Sequence, residues 1–99
     1  MISYVEMKLN KIIVYNEDGK RISEMPGTGN VIEGISSDFF LVRRLNSIIT
    51  YDENCDELAR MTGTRVEILC AAGRTFTTKK LNKITLYDQR CLVINQRTA

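Results

Sequence analysis

The chain has 99 residues, 43% of them hydrophobic and 26% charged, with a formal net charge of +2. This composition is typical of one folded domain, excludes a disordered chain, and has too little charge to indicate a nucleic-acid partner by itself. No apolar run approaches the roughly 18 residues of a membrane span, so we expect no membrane partner.

The N-terminus and the cysteines bear on the cellular compartment. Residues Met1 to Glu6 lack the basic and apolar regions of a signal peptide. Cys55, Cys70 and Cys91 are odd in number and have no CxxC spacing. We therefore expect free thiols in a reducing cytoplasm.

A repeat of 36 residues organises the whole chain. The tripeptides at Leu9, Leu45 and Leu81 all begin Leu-Asn, and each is followed six residues later by a tyrosine. The same spacing relates Met25-Pro26-Gly27-Thr28 to Met61-Thr62-Gly63-Thr64 without any insertion. The sequence therefore predicts a single repeat domain of three units, approximately 1–25, 26–61 and 62–99.

Each complete unit is predicted to contain four short strands. In the second unit these cover Asn30 to Ser36, Phe39 to Arg44, Ser47 to Tyr51 and Asp56 to Met61. The first unit begins at its second strand, so the chain holds eleven strands. The third strand of each unit is apolar on both faces, which predicts sheets covered on both sides. The phenyl and phenol rings at Tyr4, Phe40 and Phe76 are expected in the core.

The turn after the third strand contains Asp18-Gly19 in the first unit, a strong hairpin signal because glycine accepts a positive φ. Cys55 and Cys91 occupy the equivalent positions. Because a positive φ is unfavourable for cysteine, we expect these two turns to have relaxed into another type.

The hairpin from Phe40 to Asn54 resembles the middle of a β-propeller blade: apolar strands, then Tyr51-Asp52 and a polar turn. The resemblance implies an all-β fold of three tandem four-stranded antiparallel units, the first lacking one strand. Since a propeller needs about four to eight blades, it also implies a homo-oligomer, with two chains completing a six-bladed ring.

A three-sided β-prism within one chain is the alternative fold. The monocot mannose-binding lectins have this fold and a Gln-x-Asp-x-Asn-x-Val-x-Tyr motif in each repeat. Counting back from Tyr15 places Lys11, Leu9 and Met7 where Asn, Asp and Gln should stand. The prism remains open as a fold, but that mannose site is not present.

The residue types argue against catalysis. Histidine is absent, and Gly27-Thr28-Gly29 lacks the lysine of a phosphate-binding loop. The acidic turn residues lack EF-hand spacing and are interpreted as solvated. We therefore predict no enzyme activity, no catalytic residues, no metal site and no cofactor.

Basic residues concentrate at the repeated Leu-Asn turns. Alternate turns of a meander lie at opposite ends of its sheet, so these turns should share an end with the Gly27 and Gly63 connections, opposite the acidic turns. We expect a basic rim that binds an anionic partner, either an acidic protein or nucleic acid. Its residues are Lys8, Lys11, Arg43, Arg44, Lys79, Lys80 and Lys83, with Asn10, Asn46 and Asn82.

The function predicted from sequence is thus a cytoplasmic, non-enzymatic binding or scaffolding module that self-associates, with a dimer favoured. A lectin-like sugar binder using equivalent pockets between repeats is the alternative. A purely structural oligomer is a third possibility.

Overall fold

The computed structural model describes residues 1–98 and consists of eleven strands in three antiparallel sheets, as the repeat predicts. Each sheet is a meander formed by one unit. Unit 1 contains β1 (Tyr4–Lys8), β2 (Lys11–Tyr15) and β3 (Arg21–Pro26). Unit 2 contains β4 (Asn30–Ile35), β5 (Phe40–Arg44), β6 (Ser47–Tyr51) and β7 (Glu57–Thr62). Unit 3 contains β8 (Glu67–Ala72), β9 (Thr75–Lys80), β10 (Lys83–Asp88) and β11 (Val93–Thr98).

Two apolar clusters hold the sheets together face to face. In the first, Ile12 and Val14 of unit 1 pack with Phe40 and Val42 of unit 2. In the second, Leu41 and Ile48 on the opposite face of unit 2 pack with Phe76 and Val66 of unit 3. We call the face that a unit turns toward the preceding unit its front, and the other its rear. The sheet of unit 2 is therefore covered on both faces, as its doubly apolar β6 predicts.

The rings at the repeated aromatic position differ in burial because only units 2 and 3 have a neighbouring sheet in front. Phe40 stacks on Tyr51 and Phe76 stacks on Tyr87, with ring centroids 5.5 Å and 5.2 Å apart. Both phenylalanines are buried. Tyr4 also stacks on its strand partner Tyr15, but it lies on the uncovered front of unit 1 and is exposed. The prediction of a core position was wrong for Tyr4.

Equivalent backbone carbonyls accept a hydrogen bond across each interface. The Ser23 hydroxyl donates to the Glu53 carbonyl, and the Thr50 hydroxyl donates to the Gln89 carbonyl, both at 2.6 Å. Glu53 and Gln89 are 36 residues apart, whereas Ser23 and Thr50 lie on different strands of their units. The repeat thus preserves the acceptor, and each interface supplies its own donor.

The three sheets form an open arc. Between sheets, the most extensive backbone contacts are those of β4 with β8 and of β1 with β4, so the sheets converge at the first strand that each unit possesses. Within residues 1–98, one apolar cluster joins units 1 and 2 and the other joins units 2 and 3. Since neither cluster joins unit 1 to unit 3, the sheets do not close into a three-sided prism.

The turns at Gly19, Cys55 and Cys91 have one and the same structure, so the predicted relaxation to another type was wrong. All three residues have positive φ, at 76°, 63° and 62°. In each turn a side-chain oxygen, of Asn16, Asp52 or Asp88, accepts two backbone N–H bonds. This side-chain cap fixes the turn without a glycine.

The two cysteines accept the strained backbone because their side chains fill the gaps between sheets. Cys55 packs in the first apolar cluster and Cys91 in the second. A Cβ placed on Gly19 would find nothing within 4 Å, because unit 1 has no neighbour in front. The residue at this turn position is therefore cysteine where a neighbouring sheet covers the front of the unit, and glycine where none does.

Arg43 ties unit 2 to the start of unit 3. Its guanidinium forms an ion pair with Glu33 and donates to the carbonyls of Gly63, at 2.7 Å, and Val66. Glycine at position 63 leaves room for this contact, because a Cβ there would lie 2.8 Å from Ile48 Cγ1 and 2.9 Å from the Arg43 guanidinium. Arg43 thus has a structural role in the interface.

We expect Arg43→Ala to lower the free energy of unfolding by about 2 kcal/mol, because it leaves Glu33 and two carbonyls without their charged donor. Urea denaturation measures the change. Arg44→Ala is the matched control, and since Arg44 is exposed its effect should stay below about 0.5 kcal/mol. Equal losses in the two variants would show that the Arg43 contacts contribute nothing particular.

Candidate functional site: a basic face with exposed leucines

The three Leu-Asn turns lie at one end of their sheets, as predicted. They connect β1 to β2, β5 to β6 and β9 to β10. The Gly27 amide donates to the Asn10 carbonyl at 2.7 Å, and the Gly63 amide donates to the Asn46 carbonyl at 2.6 Å. The chain connections between units are therefore fastened to the same end as these turns.

A leucine projects from each of the three turns. Leu9, Leu45 and Leu81 are 88%, 88% and 72% exposed. Each also has a positive φ, at 50°, 53° and 55°. This backbone region costs a residue with a Cβ about 1–2 kcal/mol, and glycine or asparagine occupies it more readily. Folding alone therefore gives no reason to place leucine at this position in all three units.

Most of the predicted basic residues surround these leucines. Lys8 pairs across its hairpin with Lys11, and Lys80 pairs with Lys83 in the same way. Lys11 also forms an ion pair with Glu24 at 3.7 Å. Among residues 1–98, Lys8, Arg44, Lys80 and Lys83 have no carboxylate partner, and all of these side chains are exposed. Asn10, Asn46 and Asn82 are exposed beside them.

Two residues of the predicted basic rim lie elsewhere. Arg43 is committed to the interface between units 2 and 3. Lys79 is its equivalent in unit 3 and pairs with Ile84, which places it on the rear face of that unit. The strand alternation accounts for both positions, because residues 43 and 44 point to opposite faces of β5.

Arg65 was missed in the sequence reasoning and joins this end of the molecule. It lies in the Gly63–Val66 turn, is exposed, and has a φ of 62° at the position where unit 1 has Gly29. The sequence feature that could have identified Arg65 is the replacement of a turn glycine by arginine at the equivalent position. We call the set of three leucines and six cations the apical face: Leu9, Leu45, Leu81, Lys8, Lys11, Arg44, Arg65, Lys80 and Lys83.

The opposite end of the sheets is acidic. Its three turns contain Glu17 and Asp18, Asp52 and Glu53, and Asp88. Asp52 and Asp88 serve as backbone caps, and Glu53 pairs with the N-terminal amine at 3.1 Å.

Within residues 1–98, no group of three His, Cys, Asp or Glu side chains is arranged to hold a metal ion. The same residues include no helix long and apolar enough to cross a bilayer.

A groove of about 590 Å³ opens on the front of unit 3, and Lys80, Leu81 and Lys83 of the apical face help to line it. Thr78, Thr85 and Gln96 line it, and the Gln96 amide donates to the Thr85 hydroxyl at 3.0 Å. The positions equivalent to the two threonines in unit 2 are the buried Val42 and Ile49. A second groove, of about 460 Å³, lies at the equivalent turn of unit 1, where Leu9, Asn10 and Lys11 help to line it. Grooves therefore occur at this turn in units 1 and 3, whereas the corresponding place in unit 2 is filled.

The three cysteines are free, as predicted. Burial raises the pKa of the Cys91 thiol to about 11, and it raises the pKa of Cys55 as well. Both thiols therefore stay protonated at neutral pH, which suits their packing role and opposes a nucleophilic one. Cys70 is exposed on β8.

No protein-family model matches this chain, and no curated protein matches it either.

We expect Leu45→Asn to raise the free energy of unfolding by about 1 kcal/mol, because asparagine tolerates a positive φ and the leucine side chain packs against little. Leu9→Asn and Leu81→Asn should act in the same direction. Urea denaturation of each variant tests this.

Leu92→Asn is the matched control, since Leu92 is 62% exposed at the acidic end and is not among the positive-φ residues. Its effect should stay within about 0.5 kcal/mol. A loss of stability in the apical variants would show that these leucines stabilise the fold.

Proposed function

We propose that this chain is a non-enzymatic binding module that binds an anionic partner through its apical face. The observation that carries the proposal is the accumulation of six exposed cations around three equivalent turns, while acidic turns occupy the other end. Such a separation attracts an anionic surface and orients the module as it approaches. The protonated Cys55 and Cys91 thiols support a binding role over catalysis, and three free thiols suit a reducing compartment such as the cytoplasm.

The lectin-like alternative receives less support from the groove on unit 3. That alternative expects an equivalent pocket at every repeat; units 1 and 3 have a groove at this turn, but Val42 and Ile49 fill the corresponding place in unit 2. The cations of the apical face, by contrast, recur in every unit.

Binding to polyglutamate and to a DNA duplex should weaken steeply with salt, because each cation that meets an anionic group releases a counterion. Replacing Lys80 and Lys83 by Gln should reduce the affinity for both probes by about tenfold at low salt, and should flatten the dependence on salt. Fluorescence anisotropy of labelled probes measures both effects.

Lys20→Gln removes one exposed cation from the acidic end and should leave the affinity nearly unchanged. Binding that is independent of salt, or equally sensitive to Lys20, would overturn the proposal.

We also propose that the chain works as a homo-oligomer in which the rear of unit 3 packs on the front of unit 1 of a second copy. Ile84 and Ile94 occupy the positions at which Ile48 and Leu58 contribute to the second apolar cluster. In unit 3 these positions remain partly or largely exposed, with Ile94 at 54%. A terminal repeat without a neighbour is expected to have a polar outer face.

The front of unit 1 suits this rear face in shape and charge. It presents Tyr4 and Tyr15 at the positions of the buried Phe40 and the half-buried Tyr51. It also presents Glu6 and Glu24, whereas the rear of unit 3 presents Lys79 and Arg97. Asn95 stands where Ser23 donates across the first interface, and Glu17 stands where Glu53 accepts. Two such contacts would join two chains into a ring of six units.

The proposed assembly predicts a dimer in solution, measured by light scattering after size exclusion. Ile84→Arg should convert the dimer to a monomer, because it buries a charge where Ile48 packs in the equivalent interface. Arg90→Gln, an exposed change at the acidic end, should leave the mass unchanged. A wild-type monomer at all concentrations would exclude the assembly.

A further inference from the structure

Binding to anionic groups does not explain why the apical face has exposed leucine side chains. Lysine and arginine side chains bind phosphate or carboxylate groups, and an exposed leucine adds nothing to such a contact. Yet all three units keep leucine in a left-handed backbone conformation. Other turn positions diverged between the units, as Gly29 and Arg65 or Gly19 and Cys55 demonstrate. A ligand for the apical face therefore has to use both the cations and the apolar side chains.

We infer that the apical face docks onto the surface of an anionic lipid bilayer. The leucine side chains enter the boundary between headgroups and acyl chains, and the lysine and arginine side chains meet the lipid phosphates and carboxylates. The inference rests on the proposed function, because it names the anionic partner of the same residues. It differs from the expectation from sequence that the protein has no membrane partner, and vesicle binding decides between the two.

The position of the leucines fits an insertion into lipid. Each stands in the tight turn of a two-stranded hairpin, and all three hairpins reach the same end of the molecule. Turns of this kind reach a few ångströms into an interface without exposing unpaired strand edges to lipid. The flanking cations remain at the depth of the headgroups, as long basic side chains do at membrane surfaces.

Stable binding to a bilayer requires both the leucine side chains and the basic side chains of the apical face. A small apolar insertion gives only weak and reversible membrane binding, and clustered lysine and arginine residues add the attraction of the anionic leaflet. The acidic turns at the far end are repelled by the same leaflet. This charge separation directs the apical face toward the membrane before the leucines make contact.

The apical face is less suited to binding nucleic acid than to binding lipid. Proteins that bind single strands stack bases on exposed aromatic rings, whereas Phe40 and Phe76 are buried between sheets. Tyr4 is exposed, but it lies on the front of unit 1 rather than on the apical face. The exposed apolar side chains at the turns are aliphatic, which suits acyl chains.

Cosedimentation with vesicles tests the inference on the full chain. Vesicles of phosphatidylcholine alone are compared with vesicles that contain equal parts of phosphatidylcholine and phosphatidylserine. We expect binding to the anionic vesicles only. Replacing Leu9, Leu45 and Leu81 by Asn should weaken that binding by about tenfold or more, because the apolar insertion is lost while every cation remains. Leu92→Asn should leave it unchanged.

A spectroscopic readout is available because the chain has no tryptophan. Leu45→Trp introduces a single indole at the apical face, and Leu92→Trp introduces one at the acidic end. On addition of anionic vesicles, the emission of the first should shift to shorter wavelength, since its indole leaves water. The emission of the second should not move.

The outcomes separate this inference from the proposed function. If the triple asparagine variant binds anionic vesicles as tightly as the wild type, or if the Leu45→Trp emission does not shift, lipid insertion is overturned. If the wild type binds polyglutamate or duplex DNA but not the vesicles, the module binds anions and its partner is a protein or a nucleic acid. If it binds none of these probes, the proposed function fails together with the inference.

Discussion

Burial of both faces of the middle sheet is the constraint on which the rest of the structure depends. A single four-stranded meander has an apolar side that it cannot cover alone, and unit 2 has two such sides. Phe40 and Val42 need unit 1, whereas Leu41 and Ile48 need unit 3. The order and orientation of the units follow from this, because each rear face meets the next front face. The turns are thereby collected at two ends of opposite charge.

Two sets of equivalent turn residues have a left-handed backbone conformation, and they differ in what offsets its energetic cost. At Cys55 and Cys91 the left-handed conformation directs a side chain into the gap between sheets, so packing offsets its cost. At Leu9, Leu45 and Leu81 the side chains are largely exposed to solvent, so packing within residues 1–98 does not offset the cost. The first kind of strain is explained by the fold. The proposed docking on lipid would offset the second through contacts outside the chain.

The sequence predicted the units, the number of strands and the two ends of the sheets, because these depend on spacing alone. It predicted the burial of Phe40 and Phe76, but it placed the exposed Tyr4 in the core and did not predict which basic side chains the sheets would cover. Arg43 and Arg44 look alike in the sequence, but strand alternation places one in an interface and the other in solvent. The prediction for the turns at Cys55 and Cys91 was wrong because it depended on the missing glycine. The residue that determines the turn is three positions earlier, at Asp52 and Asp88, where a carboxylate oxygen caps two amides.

The open arc also determines how stability is distributed along the chain. Within residues 1–98, unit 2 has a neighbour on each face, whereas each terminal unit has a neighbour on one face. In an array held by contacts between adjacent units, local opening begins where a unit has the fewest neighbours. In a chain without a partner copy, the amide hydrogens of β11, which is exposed along its whole length, should therefore exchange with solvent through local fluctuations. Those of β5 and β6, buried between two other sheets, should exchange more slowly, through larger openings of the fold.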